Sequence, residues 1–369
     1  MHGRFHFLFI EGRLTLDLLK RLLWPSGPGA FRLWLALVVV LHHYTRIELG
    51  KMPVLVFFAL SGFWIQRMWQ TRYAAARRPY VTFLVSRWWR IAPMMVLSSL
   101  MMLVVLAALG LWAALASITS DAPRQMFSTL FGLGYALLPA RLLGPGWSLD
   151  IEMQFYLAAP LLILAVRRQS AVIALGLALA VQALGLIVWG DVVLTTFLPW
   201  FVIGMVSAQH DWKPAPGLAR ASLLAAIGVT AGVWLSPWRA LLIAQDAPQW
   251  APFNMALAML LIPFAMATVQ RRGDRTDAVM ADQSYVVYLM HWPVIVVFRQ
   301  LGGLVTGSSF GDLLVFAGAV CALSWAAWRW FDRPLNRLRS RWVGKRLRQR
   351  EADALPDATK EDDSSPLFA

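Results

Sequence analysis

Charged residues are scarce in this sequence of 369 amino acids. Aspartate, glutamate, lysine and arginine together make up 15% of the chain, whereas hydrophobic residues make up 59%. Apolar runs of about 18–22 residues recur along it, which is the length that a helix needs to cross a bilayer. With a mean hydropathy of +0.57, this composition points away from a soluble globular domain. It predicts an all-α fold, a polytopic bundle of transmembrane helices.

The chain also has little that could bind a metal or form a disulfide. It has one cysteine, Cys321, so no intrachain disulfide is possible. The histidines lack ligand spacing, and no HExxH motif occurs. No GxSxG elbow, phosphate-binding glycine loop or dinucleotide fingerprint is present. We therefore expect no metal site and no permanently bound cofactor.

Acidic residues are fewer than basic ones, 20 against 34, which gives a formal net charge of +14. Such an excess can indicate nucleic-acid binding, but no basic soluble module is present to carry that function. Basic residues enriched on one side of the membrane explain the charge instead. The expected contacts are thus the lipid bilayer and small or lipid-linked substrates, with no nucleic acid.

Ten apolar runs are candidates for membrane spans. They lie near 30–48, 53–70, 91–113, 148–167, 171–190, 193–209, 220–236, 251–270, 281–302 and 310–331. A further stretch, 127–143, is apolar but contains glycine, proline and arginine, which favours a segment that dips into the membrane without crossing it.

Charge gives an independent test of this topology. With the N-terminus inside, six of the 34 basic residues fall on outer segments, namely Arg46, Lys51, Arg124, Arg141, Arg239 and Arg299. Such a bias predicts that both termini are cytoplasmic. The predicted organisation is a cytoplasmic or interfacial lead-in over 1–28, a transmembrane domain over 29–335, and a tail over 336–369 that is basic, then polar, and disordered.

Ionisable residues inside membrane spans are functional candidates by default. In the first span, Arg32 and His43 lie on nearly the same helical face, about 16 Å apart along the axis. An imidazole is the natural general base at neutral pH, although a histidine that only bridges two helices fits the spacing equally well. Arg87 and Arg90 share one face at the entry of the third span. They suit a phosphate clamp, or ordinary anchoring at the membrane surface.

The segment GWSLDIEMQFY (146–156) brings carboxylates to the mouth of an apolar run. Ser148 or Asp150 can cap the new helix, which is a sufficient structural explanation for Asp150. Glu152 lies deeper and is harder to explain as a cap. In the ninth span Ser284, Tyr288 and His291 have the spacing of one polar stripe, either a structural seam or a substrate-lining one.

Six motifs, which follow one another along the chain in the order of the family pattern, resemble the acyltransferase-3 family of integral-membrane acyltransferases. The first helix resembles its pattern of arginine, apolar run and histidine, with His43 followed by Tyr44. Arg87 and Arg90 resemble its RxxR signature, and Glu152 stands in the first acidic place of its WSLxxEEQFY element. The other matches are VFFALSGFWI (56–65), SYVVYLMHWP (284–293) and FDRPLNRL (331–338). Met153 replaces the second acidic residue, and Asp332 stands where the family usually has glutamate.

The resemblance implies a stand-alone enzyme of the bacterial inner membrane that takes an acyl group, commonly acetyl, from cytoplasmic acyl-CoA. The acceptor would be a sugar hydroxyl of a surface or exported polysaccharide, or of its lipid-linked precursor. The resemblance implies a catalytic role for His43 and a donor-binding role for Arg87 and Arg90. We further expect Glu152 to be catalytic and Arg32 to bind the donor. We also expect the substrates to be lined by Ser61, Trp147, Ser148, Asp150, Tyr156, Tyr288 and His291.

The mechanism and the class of protein leave alternatives open. His43 would deprotonate the acceptor hydroxyl directly, or it would carry the acyl group as a transient acyl-histidine. Glu152 would orient that imidazole or bind sugar hydroxyls. A flippase of lipid-linked saccharides would also place polar residues inside helices, and an acyltransferase acting on a non-glycan acceptor would share the same motifs.

Overall fold

The computed structural model describes residues 20–21, 24–45, 47–188, 193–239, 250–301 and 310–354. Within these ranges every regular element is a helix, which confirms the all-α prediction. Most of the predicted lead-in, residues 1–19 and 22–23, lies outside the described residues, as do residues 355–369 of the predicted tail.

The α-helices of the described residues are numbered here in chain order. They are α1 Pro28–Tyr44, α2 Lys51–Thr71, α3 Pro79–Ala108, α4 Trp112–Thr119, α5 Ala122–Phe131, α6 Gly146–Arg168, α7 Ala171–Val188, α8 Leu194–Gln209, α9 Pro216–Leu235, α10 Trp250–Val269, α11 Arg275–Gln300, α12 Phe310–Ala327 and α13 Arg333–Ala354. Short 3₁₀ turns lie at Tyr73–Ala75 and Tyr135–Leu137, and a π-helical turn, Trp328–Asp332, joins α12 to α13.

Each of the ten predicted spans overlaps one of these helices. Among the described residues, seven helices are long and apolar enough to cross a membrane. The other three predicted spans fall on α1, which has 17 residues, on the 16-residue α8, and on the more polar α11. A polytopic bundle is thus shown, while the count of ten crossings stays a prediction.

Local sequence signals explain where several helices begin. Proline occupies the first turn of α1, α3 and α9, where its missing N–H costs no hydrogen bond. Asp274 caps α11 by accepting from the backbone N–H of Asp277 at 2.8 Å. This hydrogen bond, together with the Arg21 guanidinium, holds the pKa of Asp274 below its usual range.

The core of the bundle depends on close approaches between helix backbones. The carboxylate of Asp277 on α11 accepts from the backbone N–H groups of Gly29 and Ala30, both at 2.9 Å, and so satisfies the free donors at the start of α1. Farther along the chain, α2 and α8 cross where Gly62 and Gly204 face each other's helix. Small residues at such crossings let two backbones approach each other closely inside a membrane.

Two ends of the bundle matter for the site. We call the end where α2 stops and α3 starts the basic end; Arg72 lies there, and the backbone N–H of Arg77 donates to the carbonyl of Arg346 on α13 at 3.3 Å. The opposite end, where α1 stops at Tyr44, is the histidine end. By the charge bias, the basic end is predicted to be cytoplasmic.

The structure corrects two expectations at the level of elements and leaves a third untested. Helix α3 begins at Pro79, not near 91, so Arg87 and Arg90 lie two to three turns inside it. Helix α13 continues to Ala354, so the predicted disorder is wrong over 336–354. The stretch 127–143 is the end of α5, a glycine turn and a 3₁₀ turn; its re-entry into the membrane stays a prediction.

Candidate functional site

A polar cavity of about 300 Å³ lies among α1, α2, α3, α6, α11 and α13 near the basic end. Five arginines line it, Arg32, Arg72, Arg87, Arg90 and Arg339, together with the carboxylates Glu152 and Asp282. We call this the arginine cavity. It places all three sequence-predicted donor-binding arginines in one space, where their summed positive charge suits a polyanionic ligand.

Arg90 is the arginine of this cavity that is held by carboxylates. Its guanidinium contacts both oxygens of Asp332 at 3.2 and 3.1 Å, approaches Asp282 at 3.5 Å, and lies over the ring of Tyr285. Asp332 is the last residue of the π-helical turn, and its side chain is only 5% exposed. The π-turn therefore turns a carboxylate toward Arg90 and fixes the guanidinium.

Arg87 has a different environment, although it lies one turn away on the same helix. It donates to the hydroxyl of Tyr73 at 2.9 Å, and that hydroxyl also contacts the Ser86 hydroxyl at 2.9 Å. The Nε atoms of Arg87 and of Arg32 are buried without a hydrogen-bond partner among the described residues. The predicted pair is thus split, with Arg90 neutralised by carboxylates and Arg87 retaining free donors.

Glu152 belongs to the arginine cavity. Its carboxylate accepts from the Ser61 hydroxyl at 2.9 Å and from the Tyr156 hydroxyl at 2.5 Å. The described ring contacts of His43 are to His42, His291 and Trp292, so a role for Glu152 in orienting this imidazole stays a prediction. Ser61 and Tyr156, which the sequence predicts to line the substrate, lie in the lining of this cavity, and both of their hydroxyls donate to the Glu152 carboxylate.

Sequence reasoning missed two arginines of the cavity, Arg72 and Arg339. Both stand in basic stretches, which the charge bias explains as membrane-surface anchoring. Only the packing of α13 against α3 and the 3₁₀ turn shows that Arg339 faces inward, where its Nη1 donates to the carbonyl of Ser86 at 3.4 Å.

A second, smaller cavity of about 50 Å³ adjoins the first. It shares Arg32 and Phe57 with the arginine cavity and extends toward Ser148 and Tyr288. The hydroxyls of Ser148 and Tyr288 lie 2.6 Å apart, and that of Tyr288 also donates to the Pro145 carbonyl at 3.2 Å. The centroid of the Tyr288 ring lies 6.3 Å from that of the His291 ring, so one wall of this cavity lies close to the histidines.

His43 lies at the histidine end among aromatic rings. The centroid of its ring is 5.3 Å from that of His291 in a stacked arrangement, 5.2 Å from that of Trp292, and 4.6 Å from that of His42. Arg299 donates to the backbone carbonyl of His43 at 2.8 Å. Sequence spacing alone could not pair helices α1 and α11, so it did not indicate the contact between His43 and His291.

The contacts of His291 fix the roles of its two ring nitrogens. Nδ1 lies 3.1 Å from the carbonyl oxygen of Val287, an acceptor, so Nδ1 carries the proton and donates it. Nε2 then has a free lone pair, and it is buried without a partner among the described residues. His291 thus offers a proton acceptor close to His43.

Two residues predicted to line the substrate, Asp150 and Trp147, lie outside the lining of both cavities. Asp150 is fully buried; it accepts from the backbone N–H of Ala136 at 2.8 Å and from the Gln154 amide at 3.0 Å. Trp147 packs against the rings of Phe58 and Phe197. Neither Asp150 nor Ser148 caps α6, because this helix begins at Gly146 without a side-chain cap, which corrects that expectation.

Comparison with known proteins agrees with these observations. The family model described as an acyltransferase domain of the acyltransferase-3 type matches residues 26–329, most of the chain. This range includes every candidate residue named above except Asp332 and Arg339. No curated protein and no solved structure matches the chain. The chain belongs to the acyltransferase-3 family and is a membrane acyltransferase.

Proposed function

We propose that this acyltransferase moves an acyl group, acetyl in the first instance, from acyl-CoA at the basic end to a sugar hydroxyl at the histidine end. The acceptor would belong to a surface or exported polysaccharide or to its lipid-linked precursor, and the enzyme would reside in a bacterial inner membrane. The observation that carries the proposal is the arginine cavity, which shares helix α1 with His43.

The donor fits the cavity by charge. Coenzyme A carries a diphosphate and a 3′-phosphate, and guanidinium groups bind phosphate oxygens through paired, charge-assisted hydrogen bonds. Arg32 and Arg87 each keep a buried Nε without a partner among the described residues, so they have donors to offer. Arg90, already held by Asp332 and Asp282, would supply the rigid edge of the site.

The distance between the two parts of the site fits the shape of this donor. Arg32 and His43 are about 16 Å apart along α1, and the second cavity lies beside this interval. Coenzyme A carries its thioester at the end of a long pantetheine arm, well away from its phosphates. With the phosphates on the arginines, that arm would follow the second cavity toward His43.

The chemistry at the histidine end follows from an imidazole beside a hydroxyl. His43 takes the proton of the acceptor hydroxyl while the hydroxyl oxygen attacks the thioester carbonyl. The new C–O bond forms and the C–S bond breaks. The proton then passes to the departing thiolate, so the products are the ester and free coenzyme A. General base catalysis of this kind contributes about 10²–10⁴-fold.

The test is release of free coenzyme A from acetyl-CoA by the protein reconstituted in lipid. Wild type should turn the donor over slowly without acceptor, and His43→Ala should lose this turnover by at least about 100-fold. His210→Ala is the matched control, because His210 is exposed and belongs to neither cavity. Equal turnover in wild type and His43→Ala would refute the assigned role of His43.

Detection of an acetylated protein after addition of donor alone would favour the acyl-histidine route over direct transfer. A purified candidate saccharide, added to the wild type, should raise the rate of coenzyme A release and acquire the label from acetyl-labelled donor. Release that no saccharide accelerates would count against the glycan acceptor.

A further inference from the structure

The arginine cavity has a wall that lies beyond the region matched by the family model. Arg339, Ser340 and Val343 line the cavity from α13, whereas the match ends at residue 329. The shared domain therefore accounts for most of the cavity, and the C-terminal helix completes it.

Helix α13 is docked firmly enough to form a wall. Val343 is 2% exposed, and the rings of Trp342 and Trp89 lie 6.4 Å apart between α13 and α3. The backbone of α13 also accepts a hydrogen bond at Arg346 from Arg77, just before α3. These contacts join the helix to the basic end at two places, beside Ser86 and beside the loop before α3.

The arginines at the mouth of the cavity remain available to a ligand. Arg72 and Arg339 make no ion pair with a carboxylate among the described residues, since both ion pairs found in the cavity belong to Arg90. Arg339 uses one guanidinium nitrogen on the Ser86 carbonyl, while its Nε is buried and unpartnered within the described part of the chain. Buried donors of this kind favour an anion close by.

The cavity has a direction along the bundle. Ser61, which binds Glu152, is about 16 Å deeper along α2 than Arg72, which follows the last residue of that helix. If the pantetheine arm points inward to His43, the nucleotide end of the donor must lie at the mouth. Along coenzyme A the 3′-phosphate is on the ribose, on the nucleotide side of the diphosphate, so it meets Arg72 and Arg339.

We infer that Arg339 on α13, together with Arg72, binds the 3′-phosphate of coenzyme A and makes the enzyme selective for donors that carry it. This inference rests on the proposed function, since it deepens the donor site assigned there. Acyl groups presented on dephospho-coenzyme A or on bare phosphopantetheine lack this group and bind more weakly.

The experiment compares the binding of acetyl-CoA and of acetyl-dephospho-CoA to the full-length protein in lipid. Wild type should prefer acetyl-CoA by at least about tenfold, as expected for one charge-assisted contact. Arg339→Gln should weaken acetyl-CoA binding by a similar factor while the dephospho form binds as it does to wild type. The mutant thus loses its selectivity.

Two variants keep this test sharp. Arg337→Gln removes the same charge from an exposed position on the same helix and should keep full selectivity. Arg339→Lys should keep part of it, because the positive charge remains. A wild type that binds both donors equally would overturn the inference alone, and so would equal weakening of both donors in Arg339→Gln. A wild type that binds neither donor would overturn the proposed donor site itself.

Discussion

Arg87 and Arg90 show how two identical side chains on one helical face acquire different roles. Both enter the cavity from α3, but Arg90 meets Asp332 and Asp282, whereas Arg87 meets the Tyr73 hydroxyl. An ion pair with one partner almost fully buried fixes a guanidinium, and removing one partner leaves an uncompensated charge. We therefore expect Arg90 to act through its position and Arg87 through its free donors.

This difference predicts the effect of Asp332→Asn. Asparagine has nearly the same size as aspartate, but it removes the negative charge beside Arg90. Only the more distant carboxylate of Asp282 then remains as an ionic partner. We expect the KM for acetyl-CoA to rise about tenfold or more, because one charge-assisted contact is worth about 1.5–3 kcal/mol. Steady-state kinetics of coenzyme A release would measure it.

Asp121→Asn is the control for Asp332→Asn, since Asp121 pairs with Arg124 on the surface, away from both cavities. The positioning role would be wrong if Asp332→Asn folded normally and kept the wild-type KM. Asp332→Glu, which restores the residue usual in the family, should recover most of the affinity.

The same contrast separates the two carboxylates of α6. Asp150 and Glu152 stand two residues apart, so their side chains leave the helix about 200° apart. Asp150 is buried against the 3₁₀ turn at Tyr135–Leu137, and Glu152 faces the arginines through Ser61 and Tyr156. One carboxylate secures a loop, and the other lines the arginine cavity.

At the scale of elements, the crossing of α2 and α8 positions the cavity. Ser61 and Phe57 on α2 line it, and Gly62 next to Ser61 is in contact with the backbone of α8. A Cβ added to Gly62 would overlap the carbonyl of Phe201, and one added to Gly204 would overlap that of Ala59. Backbone atoms cannot move away as a flexible side chain can, so both glycines are required for the crossing.

Gly62→Ala should therefore lower the thermal stability of the purified protein. Overpacking of a close-packed contact costs about 1–3 kcal/mol, and a shift of α2 would also reduce donor binding. Gly228→Ala is the matched control, because nothing lies within 4 Å of its added Cβ. There the same change should be neutral or stabilise the helix by about 0.5–1 kcal/mol. Thermal denaturation midpoints of the two variants would be compared with that of the wild type. Equal midpoints would contradict the close backbone contact between α2 and α8.

At the scale of the whole molecule, the two parts of the site lie toward opposite ends of the bundle. The arginine cavity opens near the basic end, and His43 lies near the histidine end, where α1 stops. Such a separation would suit transfer of an acyl group between two compartments. The excess of basic residues predicts that the basic end faces the cytoplasm.

Cysteine labelling tests this orientation. In a Cys321→Ser background, Arg168→Cys at the end of α6 should react with a membrane-impermeant maleimide only after the cells are opened. Lys51→Cys at the start of α2 should react in intact cells whose outer barrier is permeable to the reagent. Both positions are exposed in the structure. Labelling with the opposite pattern would reverse the orientation.

The amino-acid sequence by itself determined the helical elements and the membrane. A run of apolar residues long enough to cross a bilayer must satisfy its own backbone hydrogen bonds, so it forms a helix wherever it lies. The order of the motifs also identified the family and brought forward Arg32, His43, Arg87, Arg90 and Glu152.

Only the tertiary structure decided which of these residues meet. Asp332 reaches Arg90 across 242 residues of sequence, His291 stacks on His43, and Arg339 turns into the cavity from a stretch whose composition resembles any basic tail. Such contacts depend on how helices cross and on one π-helical turn that rotates the side chains after it. A helical period predicts which residues share a face of one helix, but it does not say which helix that face will meet.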